Sequence, residues 1–415
     1  MRKQVFCLLA VLLCTLASCS QPIKGVGKAT GRLSGLRPAE SVSADFQKGY
    51  HTFTFKLLKE LYSNHSNMFV SPASLYIALG MTANGANNDT LAQMLDTMGV
   101  SDSDILNAGC RDLQSLLSGN TKKYFLLSNA IWLDEHYKDS IKPEFLKRNE
   151  DYFGALVAAR PFNHTLIPTI NQWAEKNTDG MVKNILKPPL GPDIFMFLTN
   201  ALLFDGKWEM KFKKGDTFDG IFHGYNGDIS IPMMRRTDKK NASWYEDDLV
   251  QVTLLDYQDK RTAMLIALPK TDLDSVMTDM TSDTITSWID NIEDCESLAL
   301  TLPRFSLTYK QEMIDILRRL GITDAFDEKL SDFSRMTEGI QGPVFISDII
   351  HQTALEVDES GTRAAAVSIS IIRSKSATMG YTMVVDRPFL CAIVDKPTGC
   401  VLFAGTVTDP QLLKN

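Results

Sequence analysis

The segment that decides the fold reads ESGTRAAAVSISII and occupies residues 359–372. Its first half is rich in small residues that a helix accepts, whereas the Val, Ser and Ile residues of 367–372 favour a strand. Conflicting local preferences within one short segment are typical of a chain that has two competing conformations. The sequence therefore predicts that this segment can change its conformation.

Helical patterns precede strand patterns in the rest of the chain. Residues 45–62 repeat apolar side chains at helical spacing. The dense apolar stretch 195–203 predicts a strand buried on both faces, and 345–357 predicts another strand. Two last segments, 388–393 and 400–407, predict a hairpin. Helices followed by strands indicate an α+β fold rather than alternating βαβ units.

Several separate motifs, in the right order, resemble those of the serpin family of protease inhibitors. The run 359–366 resembles the hinge of the serpin reactive-centre loop, and residues 403–407 resemble part of the C-terminal signature. The other motifs lie at 67–74 with 85–86 and 90, at 199–201 with 204–208, and at 232–234, 302–305 and 386–389. Together they cover nearly the whole chain, which makes the resemblance highly specific.

The resemblance implies an α+β serpin fold of three β-sheets and about eight or nine helices, with an exposed reactive-centre loop at about 359–385. A target protease cuts this loop and forms an acyl-enzyme. The cut loop then inserts into a five-stranded main sheet and distorts the trapped protease. The family acts as an inhibitor and not as an enzyme, on a serine or sometimes a cysteine endopeptidase. The resemblance implies no cofactor and no metal, and a monomer.

The hinge residues implied by the resemblance suit insertion into a sheet. Alternate residues of a strand face the same side. If Thr362 faces inward, the residues at every second position after it do so too, and all of them are small or apolar. Arg363 departs from the acidic or neutral residue usual in the family, but it falls on the outward face. The implied hinge consists of Glu359, Gly361, Thr362, Ala364, Ala365 and Ala366.

Two further groups match positions where the family's main sheet opens. Ser71, Ser74, Asn200 and His351 match the shutter, although each residue alone could be a helix cap or an ordinary buried polar residue. As a set they could form a polar network that rearranges when the strands part. Lys207 and Trp208 match the breach, where insertion begins; Trp208 could also be simply a packed aromatic residue.

The position of the cleaved bond follows from counting along the loop. The family's spacing from Gly361 predicts cleavage between Lys375 and Ser376, and a Lys there implies a trypsin-like protease, whose specificity pocket holds an acid. The loop is about two residues longer than in many relatives, so Arg373 is the alternative. Met379 or Tyr381 would suit elastase-like or chymotrypsin-like targets.

The N-terminal residues predict export and a lipid anchor. Residues 1–18 read as a signal peptide, with a basic start and an apolar run shorter than the roughly 20 residues of a spanning helix. The sequence LASC at 16–19 resembles a bacterial lipobox, so we expect a lipid on Cys19; an ordinary cleaved signal is the alternative. Residues 19–44 predict a flexible tether, and 45–410 a single domain. The predicted location is the bacterial envelope, on the periplasmic face or the cell surface.

Charge and cysteine content exclude some partners and leave one pairing open. The net charge of −7 argues against nucleic acid, because such binding requires a basic surface. Cys391 and Cys400 flank a turn; a disulfide between them is possible, and two buried thiols are the favoured interpretation.

No G-x-S-x-G or H-E-x-x-H motif supports a hydrolase. The rival function is a non-inhibitory envelope lipoprotein of serpin fold that acts as a binding protein.

Overall fold

A computed structural model describes residues 41–63, 65–118, 125–178, 180, 184, 186–187, 194–340, 342–362 and 380–413. The predicted signal peptide 1–18, Cys19 and most of the predicted tether 19–44 lie outside these ranges. Within them, no helix is both long enough and apolar enough to cross a membrane.

Nine α-helices and three 3-10 helices occur in the described part of the chain. The α-helices are α1 (Ala44–Leu61), α2 (Pro72–Ala83), α3 (Asn88–Met98), α4 (Ser103–Ser118), α5 (Pro143–Phe153), α6 (Leu166–Asn177), α7 (Leu273–Asp279), α8 (Thr284–Asn291) and α9 (Ile314–Leu320). The 3-10 helices are Glu135–Ser140, Lys214–Asp216 and Asp324–Phe326.

The strands mostly follow the helices along the chain, as the sequence predicts for an α+β fold. They are β1 (Met68–Val70), β2 (Phe125–Asp134), β3 (Leu156–Arg160), β4 (Met196–Phe204), β5 (Gly206–Lys207), β6 (Phe218–Gly224), β7 (Gly227–Glu246), β8 (Val250–Asp256), β9 (Thr262–Pro269), β10 (Glu293–Pro303), β11 (Phe305–Glu312), β12 (Ile350–Asp358), β13 (Gly361–Thr362), β14 (Tyr381–Val384), β15 (Phe389–Asp395) and β16 (Cys400–Val407).

Two of the three sheets share the long strand β7. One sheet has the order β1-β16-β15-β9-β8-β7, and the other continues from β7 to β10 and β14, with β6 on the far side of β7. Every residue of β9, β15 and β16 is buried, which explains their nearly continuous apolar sequence. The hairpin predicted near the C-terminus is confirmed as the antiparallel pair β15–β16.

The third, main sheet is divided by a cleft. Its first part has the order β3-β2-β4 and its second part the order β11-β12-β13-β5. The cleft runs between β4, with Leu202, Leu203 and Phe204, and β12, with Thr353 and Leu355. The five long strands expected of the family's main sheet are therefore present, but β4 and β12 are not paired within the described residues.

Cys391 and Cys400 are free thiols. Cys391 lies opposite Gly405 in the hairpin and Cys400 lies opposite Asp395, so the two cysteines are not cross-strand partners. Both are buried, and burial raises the pKa of each thiol to about 12. Buried neutral thiols act as small apolar side chains.

Candidate functional site

The predicted hinge begins with a tight reversal at the head of the cleft. The Asp358 carboxylate accepts hydrogen bonds from the backbone N–H groups of Ser360 (2.7 Å) and Gly361 (3.2 Å), which turns the chain back along β12. Gly361 then pairs with Lys207 of β5 on its other side. A Cβ at Gly361 would lie 2.2 Å from the Gly206 carbonyl oxygen, so only glycine allows this close approach.

Thr362 lies inside the sheet, as the alternation argument expects. It is 2% exposed and pairs with Val357 of β12 and with Gly206 of β5. Its hydroxyl is 2.6 Å from the Tyr257 hydroxyl. The two residues of β13 thus already occupy the top of the cleft before any cleavage.

The predicted breach residue Trp208 stabilises this chain reversal through two hydrogen bonds. Its indole Nε1 donates to the Asp358 carbonyl (2.8 Å), and its backbone N–H donates to the Ser360 carbonyl (3.0 Å). The indole also stacks on Tyr257, with ring centroids 4.8 Å apart and planes at 12°. Lys207 is exposed and contributes backbone pairing with Gly361.

Glu359 is buried but not isolated. The Thr217 hydroxyl donates to its Oε1 (2.8 Å), and Arg304 Nη1 lies 3.7 Å from the same oxygen. The backbone N–H of Phe212 donates to the Glu359 carbonyl. Sequence reasoning found the motif that contains Arg304 but did not assign Arg304, Thr217 or Tyr257 to the hinge.

The four predicted shutter residues form one hydrogen-bonded chain that runs from β12 through the start of α2 to β4. The backbone N–H of Ser71 donates to His351 Nε2 (3.0 Å), and the Ser71 hydroxyl donates to the Leu402 carbonyl (2.8 Å). Ser71 Oγ also accepts from the Ser74 N–H (3.1 Å), which caps α2. The Ser74 hydroxyl donates to Asn200 Oδ1 on β4. Burial lowers the pKa of His351 to about 4, so its ring is neutral.

The far end of the loop is anchored on the neighbouring sheet. Tyr381 opens β14 in register with Leu298 of β10 and stacks on Trp244 (4.7 Å, 16°). Tyr381 is therefore a paired strand residue, and cleavage there would require β14 to leave its ladder. The predicted hinge residues Ala364, Ala365 and Ala366 and the predicted cleavage residues Arg373, Lys375, Ser376 and Met379 lie outside the described residues.

The described residues contain no group of three or more His, Cys, Asp or Glu side chains arranged to hold a metal ion. In the part of the chain that the structure describes, the facing edges of β4 and β12 are unpaired, so backbone groups on both sides of the cleft are available to a further strand.

Comparison with known proteins identifies the family. The model of the serpin family, described as serine protease inhibitors, matches residues 48–410. The chain belongs to the serpin family. A serpin-like protein of Thermococcus kodakarensis is 31% identical over 373 residues, which cover 87% of this chain and 85% of that protein. Serpin B6 of Pongo abelii is 30% identical over 377 residues, which cover 86% of this chain and 98% of that protein.

Solved serpin structures share the fold. The native state of the thermophilic serpin Tengpin superposes with a TM-score of 0.81 at 27% identity, covering 91% of this chain and 97% of that chain. Thyroxine-binding globulin in complex with thyroxine superposes with a TM-score of 0.76 at 25% identity, covering 88% of this chain and 99% of that chain. The three-sheet serpin fold predicted from the sequence is confirmed. Serpins are generally protease inhibitors, and thyroxine-binding globulin is a non-inhibitory member.

Proposed function

We propose that this serpin is a suicide inhibitor that traps a serine endopeptidase as an acyl-enzyme by inserting its cleaved loop into the main sheet. One observation carries the proposal: Thr362 is already a strand residue between β12 and β5, at the head of a cleft that no described strand fills. Strand pairing extended from Thr362 after cleavage would run down that cleft.

The register of β13 supports the fit of the residues that follow. Continued along β12, it sets Ala364 opposite Leu355, Ala366 opposite Thr353 and Ser368 opposite His351. On the β4 side the same three residues meet Phe204, Leu202 and Asn200. Small side chains fit between these larger ones, and Ser368 brings a hydroxyl to the polar His351 and Asn200, where a buried hydroxyl requires a partner.

The energy available is sufficient to distort a protease. About 15 inserted residues would form ladder hydrogen bonds with the edges of β4 and β12 that face the cleft, each bond contributing roughly 0.5–1.5 kcal/mol net. The sum is on the order of 10 kcal/mol, comparable with the stability of a typical domain. The uncut chain must then be held by a kinetic barrier, because a more stable state exists.

The proposed target is a trypsin-like serine protease that cleaves between Lys375 and Ser376, with Arg373 as the alternative residue before the cut. A Lys or Arg side chain there pairs with the buried acid of such a protease. The inhibitor is proposed to act as a monomer, held at a bacterial envelope by lipid on Cys19. The support for this location is the apolar run and the lipobox-like sequence at 16–19.

Incubation with trypsin tests the inhibitory function. The expected product is a covalent complex that survives denaturing electrophoresis. The released C-terminal fragment should have the mass of a chain that begins at Ser376. Ala366→Asp places a charge on the inward face of the segment that would insert and should convert the inhibitor into a substrate, because burial of an unpaired charge opposes insertion. Ala365→Asp is the matched control on the outward face and should still trap trypsin.

Cleavage of the wild-type chain without any trapped complex would overturn the inhibitory function and leave the non-inhibitory binding protein as the function. A trapped complex with a fragment that begins elsewhere would retain inhibition and contradict the assignment of Lys375 alone.

A further inference from the structure

Positive charge is concentrated beside the point where the reactive-centre loop leaves the main sheet. The stretch 207–214 reads KWEMKFKK, and its four lysines are all exposed. Its one acid, Glu209, pairs with Lys260, with Oε1 and Nζ 3.5 Å apart. Two further exposed cations lie on β7. The basic surface is defined here as Lys207, Lys211, Lys213, Lys214, Arg235 and Lys239.

The sign of this surface is opposite to that of the whole chain, whose net charge is −7. The exposed acids that follow the stretch in sequence are Asp216 and Asp219, so the cations of the basic surface outnumber them. A local excess of one sign attracts partners of the opposite sign and repels partners of the same sign.

Backbone hydrogen bonds hold the lysine-rich stretch in one shape. The Trp208 N–H donates to the Ser360 carbonyl (3.0 Å), and the Phe212 N–H donates to the Glu359 carbonyl (3.0 Å). Trp208 and Phe212 are buried, whereas the lysines around them are exposed. The Arg236 guanidinium lies over the Phe212 ring at 4.7 Å. The lysines are therefore carried on a fixed backbone, so little backbone entropy is lost when a partner binds them.

The basic surface adjoins both ends of the reactive-centre loop. At one end, Lys207 pairs with Gly361. At the other end the loop leads into β14, which pairs with β10, and β10 pairs with β7. Arg235 and Val384 lie opposite Thr301 from its two sides, so Arg235 is two strand spacings, about 10 Å, from β14.

The proposed cleavage residue is tethered close to this surface. Lys375 precedes Tyr381 by six residues, so the chain between them spans at most about 20 Å. A protease of roughly 220 residues has a radius of gyration of about 17 Å, so its body is wider than this span. A protease that holds Lys375 in its active site therefore extends over β14 and the neighbouring basic surface.

We propose that the basic surface is a second docking site for the target protease and selects proteases with an acidic surface beside the active site. The inference rests on the proposed inhibitory function and adds a property of the partner to it. Opposite charges on the two proteins raise the rate of encounter, and like charges lower it. Specificity for Lys or Arg at the cut is thereby supplemented by selection on surface charge.

Inhibition of two trypsins of opposite net charge tests the proposal. Anionic and cationic trypsin share the acidic specificity pocket, so the loop offers both the same cleavage site. Combined replacement of Lys211, Lys213 and Lys214 by Gln removes three exposed charges. The second-order rate constant with anionic trypsin should fall about tenfold at about 0.05 M salt and about twofold at about 0.5 M, because salt screens exposed charges. With cationic trypsin the rate should be unchanged or higher.

A second triple variant is the matched control for net charge. It replaces Lys138, Lys310 and Lys329, which are also exposed, by Gln. Lys138 follows the end of β2 that pairs near Met196, and β4 runs nine residues, about 30 Å, from there to Phe204 at the hinge end. The control should keep the wild-type rate within about twofold. An equal fall in both triple variants, or no fall in either, would overturn the proposal.

Trypsin whose catalytic serine is replaced by alanine separates docking from inhibition. It forms no acyl-enzyme, so its dissociation constant reports the contacts made before cleavage. The anionic form should bind the basic-surface variant about tenfold more weakly than wild type at about 0.05 M salt. If active trypsin cuts the wild type without a trapped complex and this difference is still found, the inhibitory function fails and the docking site stands. Equal binding of the two chains, or no binding to the wild type, would overturn the docking site.

Discussion

His351 illustrates how a single buried side chain ties the sheet to α2. Its Nε2 accepts the Ser71 N–H, which requires a ring that is unprotonated at that atom. Burial lowers its pKa from 6.5 to about 4, because the low-dielectric surroundings disfavour the charged form. Protonation at Nε2 would place an N–H donor against the N–H donor of Ser71, and this hydrogen bond would be lost.

This shift makes the stability of the uncut chain depend on pH. The folded pKa lies below the unfolded one, so as pH falls from about 6.5 to about 4 the unfolded chain binds the proton first. Unfolding therefore becomes easier by about 3 kcal/mol across that window, and no further loss comes from this group below it. Urea unfolding as a function of pH measures the loss.

His351→Gln keeps an acceptor for Ser71 without a titrating ring. The difference in unfolding free energy between wild type and variant should shrink or reverse sign as pH falls through this window. A difference that stays constant from pH 7 to pH 4 would show that His351 does not titrate as its burial implies.

At the scale of elements, strand β4 shows where sequence reasoning succeeds and where it fails. The apolar stretch 195–203 predicted a strand buried on both faces, and β4 is a strand, but Met196, Leu198 and Leu202 are only partly buried. One edge of β4 borders the cleft and has no neighbouring strand among the described residues. Periodicity reports the apolar character of a segment and not the separation between two strands far apart in sequence.

The strand predicted at 345–357 is shorter in the structure for a similar reason. β12 begins at Ile350 because the preceding backbone is used elsewhere: Ile346 N–H donates to the Ala325 carbonyl, and the Ile349 carbonyl accepts from Met313. Residue types could identify the hinge, Trp208 and the four polar residues at the cleft through the family resemblance. Tyr257 and Thr217 could not be found, because their roles depend on which side chains distant in sequence they contact.

Strand β7, which joins two sheets, carries a buried ion pair with incomplete hydrogen bonding. Arg236 Nη2 lies 3.0 Å from Asp238 Oδ2, and the guanidinium lies over the Phe212 ring at 4.7 Å. Arg236 Nε and Asp238 Oδ1 have no hydrogen-bond partner among the described residues. Burial raises the pKa of Asp238 despite the neighbouring guanidinium, so desolvation outweighs the attraction.

Replacing both Arg236 and Asp238 by apolar residues should therefore raise the free energy of unfolding, whereas removing one of the two charges should lower it. We expect Arg236→Met with Asp238→Leu to raise the unfolding free energy by about 1–4 kcal/mol, and Asp238→Leu alone to lower it by about 3–5 kcal/mol. Urea unfolding of the three chains gives both values. A double variant less stable than wild type would contradict the assignment of a net cost to this pair.

At the scale of the whole molecule, the described residues are arranged as a sheet that lacks its central strand. The described chain also contains two further sheets and nine α-helices, and the two residues of β13, Gly361 and Thr362, lie at the head of the cleft. Among the described residues, β4 and β12 are not paired with each other, and the segment proposed to pair with both follows Thr362. We therefore propose that the uncut chain is metastable and that the cut chain with its loop inserted is the stable form.

Thermal unfolding of intact and nicked chains tests this most directly. After a single cleavage in the loop by a catalytic amount of protease, we expect a melting temperature higher by about 10 °C or more, because insertion adds on the order of 10 kcal/mol. Ala366→Asp should be cut equally well and show little of this rise. A nicked wild-type chain that melts at or below the temperature of the intact chain would contradict the account.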